Sequence, residues 1–285
     1  MNESDLKLRL VHSQLPYGAE LAARARPTIH AVATPFQAEP QVGASRIGGL
    51  PDLPKSIPWP KWRRLPQIFI AQINLAELPE IGERYLLPSV GHLFFFYEPT
   101  TGIIRDVPDC FGSWSVVYSE ETPARMSEDE AGDSSLEGPR PAPLALTFSE
   151  IWTVPMGDSV WYSLPVEDWY RVVDFMDGFY REHGINMYYK HQLFGYSDWL
   201  GTGNGDEVEC EQNRRGLSRF RKPPQTIRRE IEEAAKGWLL LLQVSDEGDR
   251  GSVRFGDVGA IHYWIRHRDL ECHDFSAACA TMASH

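Results

Sequence analysis

The chain has 285 residues, 28 basic against 40 acidic side chains, and a formal net charge of −12. Such a charge repels the phosphate backbone unless a local basic face dominates, so no nucleic-acid partner is expected. The longest apolar run, Trp238 to Leu242, is far short of the ~18 residues of a membrane span, and Met1 to Asp5 lacks the basic-then-apolar layout of a secretory signal, so the expected protein is cytoplasmic with no membrane partner.

Taken in chain order, a first helix is expected over 5–24, bent or broken by Pro16 and Gly18. Strands follow over 29–34, 68–73, 93–97 and 115–118, each rich in aromatic or branched residues and bounded by Gly, Pro or Asp. The stretch 120–143 is acidic, holds four prolines and few large apolar side chains, and reads as a flexible insert that cannot offset the entropy of ordering. A helix over 166–183 opens after Pro165 and stops at Gly184, with Trp169, Val172, Val173, Met176, Phe179 and Tyr180 at helical spacing. Residues 201–222, acidic then basic, read as a charged loop, and a helix over 224–236 carries Ile227, Ile231 and Ala234 on one face. Strands over 239–244 and 260–265 complete a single α+β, β-rich domain, 1–285, with helices at its periphery.

Cys110, Cys210, Cys272 and Cys279 form no close pair in sequence and read as reduced thiols. The tail Cys272-His273…Cys279…His285 lacks finger spacing, so no metal and no cofactor is expected. The glycines of 201–205 lack the Lys-Ser/Thr of a phosphate loop, and no nucleophile elbow or His-Glu-x-x-His motif is present.

Self-similarity is more informative. Phe69-Ile70-Ala71-Gln72-Ile73-Asn74 matches Leu240-Leu241-Leu242-Gln243-Val244-Ser245, and Gly91-His92-Leu93-Phe94-Phe95-Phe96 matches Gly259-Ala260-Ile261-His262-Tyr263-Trp264. Upstream, Gly49-Leu50-Pro51-Asp52-Leu53 matches Gly195-Tyr196-Ser197-Asp198-Trp199. The expectation is an internally duplicated β core with similar halves at about 45–118 and 187–270. Strand alternation puts Gln72 on the face of Ile68 and Ile70, and Gln243 on that of Leu239 and Leu241. Each carboxamide then ties its strand to the neighbouring turn, making Gln72, Gln243, Asp52, Gly91 and Gly259 structural residues.

Features found in one half only are the functional candidates. Asp257, Asp246, Trp199 and His191 stand where the first half has Ser89, Leu75, Leu53 and Ser45. With Asp198, the carboxylates and imidazole His191, Asp198, Asp246 and Asp257 form a candidate general acid–base set, since like charges held together raise one pKa. Trp199, Trp59, Trp62 and Arg46 are the candidates for partner binding, with Trp59 and Trp62 as exposed anchors in a Pro-rich loop.

At these same residues the chain resembles a bacterial family of unknown function, the YwqG-like proteins. The resemblance rests on Ser45-Arg46-Ile47-Gly48-Gly49-Leu50-Pro51-Asp52-Leu53-Pro54 with Trp59-Pro60, Phe69 to Asn74, Gly91 to Phe96, His191 to Tyr196, Trp238 to Val244, and Phe255 to Gly259 with Ala260 to Ile265. It implies a β-rich fold with a duplicated core and supplies no reaction. Some relatives sit among bacterial toxin systems, where small acidic proteins act as immunity factors. The expected function is therefore a protein-binding module without catalysis, facing a basic protein partner and of immunity type. The alternative is a hydrolase or cation-dependent enzyme built on the carboxylates of the second half.

Overall fold

A computed structural model of the chain describes residues 1–99, 106, 108–131, 140, 142–156, 166–198, 205–218, 220–246, 255 and 259–284. The N-terminal helical segment is two helices, α1 (Glu3–His12), capped by the Asn2 side chain on the Ser4 N–H, and α2 (Gly18–Arg24). The later helices are α3 (Val166–Glu182), α4 (Asp206–Arg214), α5 (Gln225–Ala235) and α6 (His267–Glu271). None of the described helices is long and apolar enough to cross a membrane.

The strands are β1 (Arg26–Pro35), β2 (Arg46–Ile47), the small hairpin β3 (Lys61–Trp62) and β4 (Leu65–Pro66), β5 (Ile68–Asn74), β6 (His92–Tyr97), β7 (Trp114–Ser119), β8 (Leu144–Thr153), β9 (His191–Leu193), β10 (Trp238–Ser245), β11 (Gly259–Arg266) and β12 (Cys279–Ser284). Ten of them form one antiparallel sheet in the order β12-β11-β10-β9-β1-β8-β2-β5-β6-β7. Its centre is the long antiparallel pair β1–β8, in register from Arg26 opposite Thr153 to Pro35 opposite Leu144. Outward from that pair each wing adds four strands in chain order, β2, β5, β6, β7 on one side and β9, β10, β11, β12 on the other.

The sheet curls until its edges nearly meet: the Trp114 indole N–H of β7 donates to the Ala278 carbonyl just before β12 at 2.8 Å, and Tyr118 packs on Phe275. Curling leaves a single interior. Leu93, Phe95 and Tyr97 of β6 and Ile261, Tyr263 and Ile265 of β11 enter it on alternate positions, with the Phe95 and Tyr263 rings 5.0 Å apart. Burying such a ring stabilises by roughly 2–3 kcal/mol. On the outside, α1, α2 and α3 cover Ile151 and Trp152 of β8. Trp59 joins Phe69, Phe94 and Phe96 over the first wing, while Cys210 of α4 joins Trp238, Leu240, Trp264 and Cys279 over the second.

Four expectations need correction. A β-bulge lies between Phe69 and Ala71, and another between Leu240 and Leu242, so Ile70 with Ala71, and Leu241 with Leu242, all enter the interior. Gln72 therefore pairs with Phe94 on the outer face rather than sharing a face with Ile70, and Gln243 pairs with His262 in the same way. The part of the acidic insert over 120–131 is docked: Arg125 reaches Asp52, Ala124 N–H donates to the Asp52 carbonyl, and Met126 and Ala131 pack on the Trp59 cluster. Much of the charged loop is α4, with Cys210, Glu211, Gln212 and Asn213 buried. Trp59 and Trp62, expected as exposed anchors, are only 8% and 5% exposed, their indole N–H groups donating to the carbonyls of Gln67 and Phe111.

Candidate functional site

The two glycine turns carry the same polar lock. In the first wing, Gln72 Oε1 accepts the Asp52 N–H at 2.8 Å, and its Nε2 donates to the Ala44 carbonyl and to the Asp52 carboxylate. In the second, Gln243 Oε1 accepts the Asp198 N–H at 2.9 Å, and its Nε2 donates to the Lys190 carbonyl and to the Asp198 carboxylate. The agreement continues outward. Ser45 Oγ accepts the Asn74 N–H, as His191 Nδ1 accepts the Ser245 N–H. Leu75 N–H donates to Gly91 O, as Asp246 N–H donates to Gly259 O. The turns bend through left-handed pairs, Gly48 and Gly49 in one, Phe194 and Gly195 in the other.

Each lock also neutralises its aspartate. Arg46 forms an ion pair with Asp52, while Lys190 places its ammonium 2.9 Å from Asp198 and 4.8 Å from the Tyr180 ring centre. Burial opposes ionisation of Asp52, but the Gly43 N–H, Arg46, Gln72 and Arg125 more than offset it and hold its carboxyl below the usual range. The candidates His191 and Asp198 thus fall in one place, with Gln243 and Ser245 between them. There Asp198 is bound by a cation, and His191 Nδ1, an acceptor, takes the role that a serine oxygen takes in the first wing. Asp246 is buried beside them, its N–H held by Gly259. Asp257 and Trp199 lie outside the described residues. Arg46, expected on a binding surface, is 2% exposed and spent on Asp52.

This centre makes the fold acid-sensitive. Burial, reinforced by Lys190 and His191, pushes His30 of β1 down to about 4. Glu211 is held down to about 2: burial works against it, and Arg214, Arg215 and the Trp238 indole prevail. Between pH 6.5 and 4 the unfolded chain binds the His30 proton and the folded one does not, so stability is full above 6.5 and falls as the pH drops through that window. The expected loss from His30 is about 3 kcal/mol. Urea unfolding at pH 7 and pH 4 checks it, and His30→Gln should remove most of the slope.

The wings differ in what covers them. Where β6 of the first presents Phe94 and Phe96 to Trp59 and Phe69, β11 presents His262 and Trp264 to α4. The His262 Nδ1 lies 2.8 Å from the Asp206 carboxylate at the start of α4. Beside this pair opens a cleft of about 800 Å³ between α2, α4, α5 and the 195–197 turn. Tyr196, Trp238 and Trp264 line it, and its rim mixes signs, with Glu207, Glu232 and Glu233 against Arg24, Arg229 and Lys236. His262 and Asp206 were not singled out from sequence. The clue to the first was a histidine aligned with Phe94 in the repeat. Among the described residues no group of three His, Cys, Asp or Glu side chains is arranged to hold a metal.

A family model described as a domain of unknown function, DUF1963, matches residues 45–283, from the residue before β2 to within β12. The chain belongs to the DUF1963 family. The DUF1963 match takes in the glutamine and aspartate of both locks and the cleft wall of α4 and α5, and leaves out α1, α2 and β1, although β1 is one of the two central strands. A search of curated proteins finds no match.

Proposed function

We propose that this DUF1963 protein, of the YwqG-like kind, is a cytoplasmic binding module without catalysis that grips a basic segment of a protein partner in the cleft. The observation that carries this reading is the contrast between the wings: an aromatic cluster packs shut over the first, and a cleft lined by Tyr196, Trp238 and Trp264, with Glu232 and Glu233 among the charges of both signs at its mouth, opens over the second. A lysine or arginine side chain at its mouth meets the Glu232 and Glu233 carboxylates, both on the exposed side of α5. The net charge of −12 would steer such a partner and make association salt-sensitive. A basic toxin domain, neutralised by an immunity-type protein, is one partner of this kind. The alternative, a hydrolase or cation-dependent enzyme using Asp198, Asp246 and Asp257 with His191, is weakened by the use of Asp198 and His191 in the lock.

Affinity purification at low and high salt, with the wild type and with Glu232→Lys/Glu233→Lys, tests the proposal. A stoichiometric basic partner should be retained at low salt, released at high salt, and bound at least tenfold more weakly by the variant. Recovery of no partner at any ionic strength, or equal retention by both proteins, would count against it.

A further inference from the structure

We propose that Cys210 and Cys279 are a disulfide-forming pair which, oxidised by a hydroperoxide, staples α4 to the edge strand β12. The two cysteines are far apart in sequence but meet in the apolar cluster of Trp238, Leu240 and Trp264. The Asn213 amide, on the same face of α4 one turn after Cys210, lies 3.9 Å from Cys279 Sγ. Cys210 is fully buried and Cys279 is 4% exposed, whereas Cys272 lies exposed three residues before the short turn that leads to β12. Nothing in the polar locks or the cleft proposal uses either buried sulfur, and the inference stands apart from that proposal.

The chemistry is balanced. One thiolate attacks the peroxide oxygen, giving a sulfenic acid and releasing water (or an alcohol from an organic hydroperoxide). The second sulfur then displaces water to form the S–S bond, so two thiols lose two protons and two electrons to the oxidant. Burial and the neighbouring Cys279, Glu209 and Asp206 hold the Cys210 thiol up, in its protonated form. Reaction therefore waits on local opening of α4 and is slow in the closed state. Once formed, the bond joins the helix that supplies Asp206, Glu207 and Val208 to the cleft with the strand beneath it, fixing that wall.

Treating the full chain with hydrogen peroxide, alkylating the remaining thiols after unfolding, and mapping peptides by mass spectrometry tests this. The expected result is loss of two thiols, a Cys210–Cys279 linked peptide that dithiothreitol reverses, and a Tm about 5–10 °C higher in the oxidised protein. Cys272→Ser should keep all three effects, and Cys210→Ser should abolish them. Free Cys210 and Cys279 after treatment, or a link from either one to Cys110 or Cys272, would overturn the proposal. The wild-type map and Cys272→Ser decide it even if Cys210→Ser does not fold.

Discussion

Lys190→Met is expected to lower the unfolding free energy by about 3–5 kcal/mol, although it keeps the length and apolar stem of the side chain. Lys190 is 1% exposed, and its ammonium is the cation that the Asp198 carboxylate faces at 2.9 Å. Removing it leaves a buried negative charge whose remaining donor, among the described residues, is the Gln243 amide, and the turn must then open to water. The cost belongs to the orphaned partner rather than to the pair. Lys190→Met/Asp198→Asn should therefore recover at least half of it, because a neutral amide still serves Gln243. Urea unfolding of the three proteins at pH 7 measures this. A loss under 1 kcal/mol for the single variant would show that the ion pair does not hold the turn.

Gly195→Ala is expected to be equally damaging for a steric reason. The residue sits at φ +68°, where a β-carbon would stand 1.9 Å from Thr28 Oγ1 and 2.6 Å from Thr153 Oγ1. Those hydroxyls are hydrogen-bonded across β1 and β8, and Thr153 Oγ1 also accepts the Tyr196 N–H. A methyl group there must break the seam that joins the turn to the central strand pair. Left-handed strain and overpacking together cost about 2–5 kcal/mol. Gly216→Ala is the control: φ is +67°, but nothing lies within 4 Å, so only the backbone term of about 1–2 kcal/mol applies. Equal losses for the two variants would contradict the role assigned to the Thr28–Thr153 seam.

The strands that read clearly in sequence are those with an apolar interior face and Gly or Pro at their ends, such as β5, β6, β10 and β11. The bulges were not legible, because an extra core residue at Ile70 or Leu241 looks like one more apolar position in an already apolar run. β8 was missed although it is one of the two central strands. Its core residues Leu144 and Leu146 and its helix-facing Ile151 and Trp152 are separated by polar positions, so no single alternation runs through it. α4 reads as a loop in sequence because its buried side includes Glu211 and Asn213, whose burial is supported by Arg214 and Arg215 at the end of the same helix and by Trp238 and Cys279 from elsewhere in the fold. The repeat pointed to the glycine turns and their glutamines, and it also led to a mistaken emphasis. His191 differs from Ser45 in type but makes the same hydrogen bond, whereas His262 against Phe94 marks a change of environment.

The indole N–H signals of Trp238 and Trp264 give the most direct test that the cleft is the working surface, since both rings line it and donate to known partners, Glu211 and Thr281. Titration with a lysine- and arginine-rich peptide should shift both signals saturably, with the effect lost at high salt and in Glu232→Gln/Glu233→Gln. An acidic peptide of the same length should leave them in place. Equal responses to both peptides, or shifts confined to the Trp59 and Trp62 signals of the first wing, would contradict the account.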